Sequence, residues 1–173
     1  MKNYKLILSA AAVLALSACS VGSKTSQGQT DSAGTAQTAD STESKVLFAK
    51  MSISDAVKGS DSVQLKFTVY NPADTAQQFC KWHTPFEPLM SKYLDVKDES
   101  GQEANYKGAM AKRIMPPPAD SYIKVKPKDS LSVTVNLLKG YDITKPGKYT
   151  AIYVGQNMSG LVIKDSVTFV YEK

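Results

Sequence analysis

Alternation of apolar and polar residues runs through much of the chain after residue 45 and limits the folds that it can adopt. In residues 63–69 and 131–137 every second residue is Val, Leu or Phe. Such alternation is typical of strands that bury one face. Turn residues separate the runs, and no stretch of three helical turns is amphipathic. The sequence therefore predicts an all-β domain over 45–173, an antiparallel β-sandwich of about eight strands.

One short segment favours an immunoglobulin-like version of the sandwich. A polar turn over 141–147 leads into a strand that starts near Tyr149. In immunoglobulin-like domains a tyrosine at this place donates a hydrogen bond back to the chain before its strand. Trp82 ends a strand predicted at 77–82, which would be strand C with its buried tryptophan. The alternative is an unrelated β-domain, since Tyr and Trp are common at strand ends.

The first 18 residues have the features of a processing signal and not of a folded element. Lys2 and Lys5 precede an apolar run of 11 residues, 6–16, which is too short to span a bilayer. Small residues then precede Cys19, an arrangement similar to the lipobox of bacterial lipoproteins. This similarity implies cleavage before Cys19 and acylation of Cys19. The alternative is an ordinary cleavable signal with an accidental cysteine.

Acylation would anchor the protein to a membrane, because each buried methylene contributes about 0.8 kcal/mol and several chains act together. We therefore expect a lipid-anchored protein of the bacterial cell envelope. Ser20 follows the cysteine, which favours the outer membrane where the envelope has two membranes. Residues 19–44 would form a disordered tether after the lipidated Cys19, because Ser, Thr, Gly, Gln, Ala and Asp dominate them.

The charge of the chain gives no indication of a nucleic-acid partner, and its cysteine content leaves the state of Cys80 open. The formal net charge of +5 falls by two, to +3, when Lys2 and Lys5 are removed with the signal. Without a clustered basic face this charge does not indicate a nucleic-acid partner. Cys80 remains as the second cysteine, and it is either a buried small hydrophobe or a reactive or intermolecularly paired thiol.

Two proline-rich loops are the candidate binding elements. If every strand were antiparallel to the one before, the connections 83–91 and 107–119 would lie at the opposite end of the sandwich from the tether and from 156–164. Trp82 and Phe86 could anchor a partner, or the first loop could fold back onto the core. The second loop could present an extended backbone to a protease groove, or be only a rigid edge connection. The candidate partner-binding residues are Trp82, His83, Thr84, Pro85, Phe86, Glu87, Lys112, Arg113, Met115, Pro116 and Pro117.

These residues also carry a family resemblance. The sequence resembles the non-catalytic amino-terminal domain, the propeptide, of deuterolysin-like zinc metalloendopeptidases, the aspzincins. Lys81–Glu87 is similar to that family's Lys-Trp-x-Thr-Pro-Leu-Glu, and the resemblance extends over about 46–155. The further matching pieces are Tyr106–Gly108, Lys112-Arg113, Tyr141–Ile143 and Gly147–Tyr149.

The chain departs from that family at the residues that form the zinc site of the peptidases. The peptidases follow this domain with a His-Glu-x-x-His helix and an Asp ligand, whereas His83 is the only histidine here. Two histidine ligands cannot therefore come from one chain. We expect no enzymatic activity, no catalytic residue, no metal site and no cofactor.

The resemblance implies a function through binding. In the peptidases the domain can be expected to restrain or help fold its catalytic domain, and a free-standing copy could act on a secreted metallopeptidase as an inhibitor or chaperone-like partner. Both loops would lie across the cleft, with His83 or Glu87 near the metal. The alternative is an envelope lipoprotein that binds another protein or a glycan, or that serves as a scaffold, without a peptidase partner. In that case Trp82 and Phe86 could stack on sugars.

Replacement of Cys19 by Ser tests the anchoring prediction. The variant should leave the membrane fraction and lose incorporation of a palmitate analogue, because the acylated sulfur is absent. Fractionation of cells and in-gel detection of the label measure both effects. Unlabelled wild-type protein would contradict lipidation.

Overall fold

The computed structural model describes residues 45–58 and 62–172. The signal segment 1–18, Cys19 and the tether 19–44 lie outside the described residues. Within the described ranges the strands are β1 Phe48–Ser52, β2 Ala56–Lys58, β3 Gln64–Tyr70, β4 Gln77–Cys80, β5 Leu94–Asp98, β6 Tyr122–Val125, β7 Ser130–Asn136, β8 Gly147–Tyr153 and β9 Val167–Glu172. The helical elements are one α-helical turn, α1 Gln156–Ser159, and 3-10 turns at Ala119–Ser121 and Leu137–Lys139.

The strands form three sheets, and the all-β prediction is confirmed. The first sheet has the order β1-β3-β7 and is antiparallel throughout. The second has the order β2-β9-β8-β5, in which β2 runs parallel to β9 and the other neighbours are antiparallel. Strands β4 and β6 form a separate antiparallel pair.

The apolar alternation explains how the layers pack. Leu65, Phe67 and Val69 share one face of β3, and none of the three side chains is exposed to solvent. Leu65 belongs to a core cluster that also contains Val96 of β5 and Ala151 of β8. The first and second sheets therefore bury their apolar faces against each other.

The β4–β6 pair covers the rest of that face of β3. Phe67 and Val69 cluster with Phe79 of β4 and with Val125 at the end of β6. The pair thus continues the layer opposite the first sheet. This corrects the assignment of 77–82 as strand C beside β8, because the strand that pairs with β8 is β5.

The assumed alternation of loop ends is also wrong. Strand β2 runs parallel to β9, and the residues at β4 contact α1. The turn that follows β4 is therefore close to 156–159, which the alternation placed at the opposite end. If successive strands always reversed direction, β2 would run antiparallel to β9 and β4 would run parallel to β6. The structure has the opposite in both cases.

The tyrosine corner has the predicted hydrogen bond. The Tyr149 hydroxyl donates to the carbonyl oxygen of Lys145 at 2.8 Å, and Tyr149 is buried. The strand orders are consistent with an immunoglobulin-like connection, which stays a prediction. Over the described part of the chain, no helix has the length and apolar character needed to cross a membrane.

Replacement of Tyr149 by Phe tests how much this hydrogen bond contributes. The variant should lose about 1 kcal/mol of unfolding free energy, because the ring is retained while the bond to Lys145 is removed. Urea denaturation followed by fluorescence measures the change. Tyr70→Phe is the control, since the Tyr70 ring stacks on Phe48 with centroids 5.1 Å apart and this stacking survives the change. Equal losses in the two variants would contradict a specific role of the corner.

Candidate functional site

The turn that follows β4 is closed by hydrogen bonds to one threonine. The Thr84 hydroxyl donates to the carbonyl oxygen of Lys81 at 2.6 Å and accepts from the backbone N–H of Phe86 at 3.2 Å. The N–H of Glu87 donates to the Thr84 carbonyl oxygen at 3.1 Å. Thr84 is fully buried, so these bonds satisfy polar groups that water does not reach. We call residues 81–87 the brace turn.

The aromatic residues of the brace turn face inward. Trp82 is only 6% exposed, and Pro85 is also buried. The Phe86 ring packs edge-on against Phe79 and Phe67, with centroids 5.2 and 6.3 Å away. The first loop therefore folds back onto the core. Of the two alternatives that the sequence left open, this is the second, since Trp82 is not an exposed anchor and Phe86 is partly buried against the core.

A second set of contacts fastens the brace turn to α1. The carbonyl oxygen of His83 accepts a hydrogen bond from the Tyr153 hydroxyl at 3.0 Å, and the same hydroxyl lies 2.7 Å from the Ser159 hydroxyl. A Cβ atom at Gly155 would lie 2.1 Å from the His83 carbonyl oxygen. Glycine at 155 thus allows the two segments to approach this closely.

The environment of the His83 ring keeps it neutral at pH 7. Partial burial lowers the pKa of His83 below its ordinary value. The Arg113 guanidinium lowers the pKa further, and the Glu87 carboxylate acts in the opposite direction. Because burial and Arg113 together outweigh Glu87, the imidazole is uncharged beside an existing ion pair.

Arg113 joins the two predicted loops. Its guanidinium donates two hydrogen bonds to the Glu87 carboxylate, one of them from Nη1 to Oε1 at 3.2 Å. The guanidinium carbon also lies 4.6 Å from the centroid of the Trp82 ring. Bidentate pairing and stacking on an aromatic face both fix the plane of a guanidinium. The Arg113 and Glu87 side chains are 16% and 19% exposed, so water and salt screen the attraction between their charges only weakly.

Most of the remaining residues of the second loop are exposed to solvent. We call residues 109–118 the presented loop. Backbone hydrogen bonds from Ala109 to Leu89 and from Ala111 to Met90 hold its first half, and Ser121 bonds back to Pro118 at its end. Lys112, Met115 and Pro116 are exposed as the sequence analysis assumed, and Pro117 is partly buried.

Sequence reasoning missed two features of the presented loop. Met110 and Ile114 were not among the candidates, yet they are 69% and 84% exposed. Met115 between the loop's arginine and prolines is 63% exposed. The inward direction of Arg113 was also missed, because its partners Glu87 and Trp82 are far away in sequence. Two successive apolar residues before three prolines, in a segment without alternation, are the signal that could have identified Ile114.

Other features of the described residues lie away from this site. A groove of about 390 Å³ is lined by residues 46–50 and by Val162, Lys164 and Asp165, and includes none of the predicted binding residues. Cys80 is a free thiol that is 2% exposed, which agrees with the buried alternative. Within residues 45–58 and 62–172 no group of three or more His, Cys, Asp or Glu side chains could hold a metal ion.

Comparison with known proteins gives one relationship. No family model matches the chain. Over 99 residues, 57% of this chain, the sequence is 30% identical to an extracellular protease of Aeromonas hydrophila. The chain covers 28% of the length of that protein. The chain is thus similar to part of a protease, which agrees with the resemblance in its coarser form, while the propeptide assignment and the lipoprotein anchor stay predictions.

Replacement of Glu87 by Ala tests whether the ion pair holds the presented loop. The variant should lose about 1–3 kcal/mol of unfolding free energy, since a shielded guanidinium is left without its carboxylate. Limited proteolysis should also cut the presented loop faster than in the wild type. Chemical denaturation and mass spectrometry of the fragments measure the two effects.

Asp74→Ala is the matched control. Asp74 pairs with Lys45 and Lys128, but its side chain is 67% exposed. Removing an exposed pair should leave both stability and the cleavage rate nearly unchanged. A Glu87 variant that behaves like the Asp74 variant would show that the presented loop is held by other contacts.

Proposed function

We propose that the chain is a non-catalytic protein-binding module of the bacterial envelope, anchored through acylated Cys19, whose partner is a secreted metallopeptidase. It acts on this partner as an inhibitor or as a chaperone-like folding partner. The observation that carries the proposal is the 30% identity over 99 residues to an extracellular protease, of which the chain covers only 28%. A domain that matches a minor part of a protease is suited to act beside a catalytic domain supplied by another chain.

The proposed mechanism is occlusion of the peptidase cleft by the presented loop. Pro116, Pro117 and Pro118 restrict the backbone of its second half. Arg113 fastens the loop to the brace turn through Glu87 and Trp82. A loop that is already ordered loses less conformational entropy on binding than a free peptide would. The brace turn supports the contact from behind instead of entering the cleft.

A direct approach of Glu87 to the partner's metal is not part of this mechanism. The Glu87 carboxylate already accepts two hydrogen bonds from Arg113. To ligate a metal it would have to leave this pair and release the loop that makes the contact. The His83 ring is neutral, as a metal ligand must be, but nothing in the described residues directs it towards a partner.

The second candidate function is an envelope lipoprotein that binds a protein other than a peptidase or serves as a scaffold. The three exposed apolar residues of the presented loop favour a protein as the bound molecule in either case. Glycan binding through Trp82 has no support, because sugars stack on exposed ring faces and Trp82 is buried beneath Arg113. The two candidates differ in the class of the partner, or in the absence of inhibition if the chain is a scaffold.

A titration against secreted zinc peptidases tests the proposal. Purified full-length chain should abolish the activity of at least one peptidase at a one-to-one ratio, or raise the yield when that denatured peptidase is refolded. Secreted serine peptidases, assayed in parallel, should be unaffected. Absence of both effects across the zinc peptidases would leave the second candidate as the better account.

A further inference from the structure

We infer that Ile114 and Met115 are the residues that enter the partner, and that they occupy an apolar pocket in its substrate cleft. This inference rests on the proposed function and adds the chemistry of the contact.

The exposure of these two residues has no explanation within the described part of the domain. Ile114 is 84% exposed and Met115 is 63% exposed, whereas the apolar residues of β3 are completely buried. The presented loop is not free to hide them, because bonds to Leu89 and Met90 hold one side of it, and just after its other side the carbonyl oxygen of Ser121 accepts a hydrogen bond from the Lys81 N–H. Apolar area that the fold keeps in water becomes favourable to bury in a complex, in proportion to that area.

The position of Arg113 decides which kind of pocket would accept the loop. The sequence Lys112-Arg113 suggests recognition by an acidic pocket, such as one that accepts a basic side chain. In the structure the Arg113 guanidinium is bound to Glu87 and covers Trp82, so it cannot reach outward without breaking both contacts. Lys112 is exposed, but the two exposed side chains that follow Arg113, Ile114 and Met115, are both apolar. An apolar pocket therefore matches the loop better than an acidic one.

The exposure of the pair favours a cleft over a flat surface. Ile114 and Met115 lie between the fastened Arg113 and the stiff segment 116–118. Two adjacent exposed apolar side chains on a held backbone gain more contact area inside a concave site than on a flat one. A peptidase cleft is such a site, and the similarity to an extracellular protease supplies the class of partner.

The test compares aspartate substitutions in the full-length chain. Ile114→Asp and Met115→Asp should each weaken binding to the peptidase that the wild type binds best by about tenfold or more, because a charge cannot enter an apolar pocket without losing its hydration. Val46→Asp is the control and should change the affinity by about twofold at most, whereas Lys112→Asp, in the presented loop itself, should weaken binding less than Ile114→Asp does. Val46 is 58% exposed and lies outside the presented loop. Interferometry on immobilised peptidase gives the affinities, and thermal denaturation shows that all variants remain folded.

The outcomes separate this inference from the proposed function. Unchanged affinity of the Ile114 and Met115 variants, with inhibition by the wild type intact, would overturn the inference and leave the proposed function standing. Loss of binding in these two variants, with a wild type that binds but neither inhibits nor assists refolding, would support the contact and overturn the function. A larger loss for Lys112→Asp than for Ile114→Asp would indicate an acidic pocket and overturn the inference. Binding to no zinc peptidase would overturn both.

Discussion

Phe67 is the side chain on which both the sandwich and the candidate site depend. It lies at the centre of β3 with no exposed surface, between strands β1 and β7. Its ring contacts Tyr153 of β8, with centroids 5.6 Å apart, and Phe86 of the brace turn. The same ring thus packs against the second sheet and against the turn that carries Glu87. Removing it would leave a cavity beneath both, and a void of that size typically costs 3–5 kcal/mol.

One ion pair, between Arg113 and Glu87, connects this core to the presented loop. A largely buried Arg–Glu pair contributes little net stability, because the attraction is offset by the loss of hydration of both charges. Its effect here is geometric. The two hydrogen bonds and the Trp82 ring fix the guanidinium of Arg113 and so restrict how far the backbone at 113 can move from the brace turn. The presented loop is therefore held from within the domain at a residue next to Ile114, its most exposed apolar side chain.

Local sequence predicted those parts of the structure that local physics determines. Alternation identified β3 and β7, and the turn before Tyr149 identified the hydrogen bond to Lys145. The pairing of β4 with β6 could not be predicted this way, because nothing local to four residues at 77–80 selects a partner at 122–125. The inward direction of Arg113 was inaccessible for the same reason, since Glu87 lies 26 residues away. The two loops were predicted to bind a partner side by side. Because residues 81–87 fold back onto the core, the first loop instead supports the second, and the second is the one that is exposed.

Two left-handed residues and two unpaired polar atoms lie in the support of the presented loop. His83 and Leu89 both have left-handed backbones, with φ of 56° and 59°, although neither is glycine. Within the described residues the Ser91 hydroxyl and Nε of Arg113 are buried without a hydrogen-bond partner. Strained residues and unsatisfied buried atoms lower stability and persist where the surrounding structure imposes them, most often at functional sites. The segments that hold the presented loop, the brace turn and residues 89–91, thus include groups that lower stability. This is the expected arrangement if the position of 113–115 is what the fold maintains.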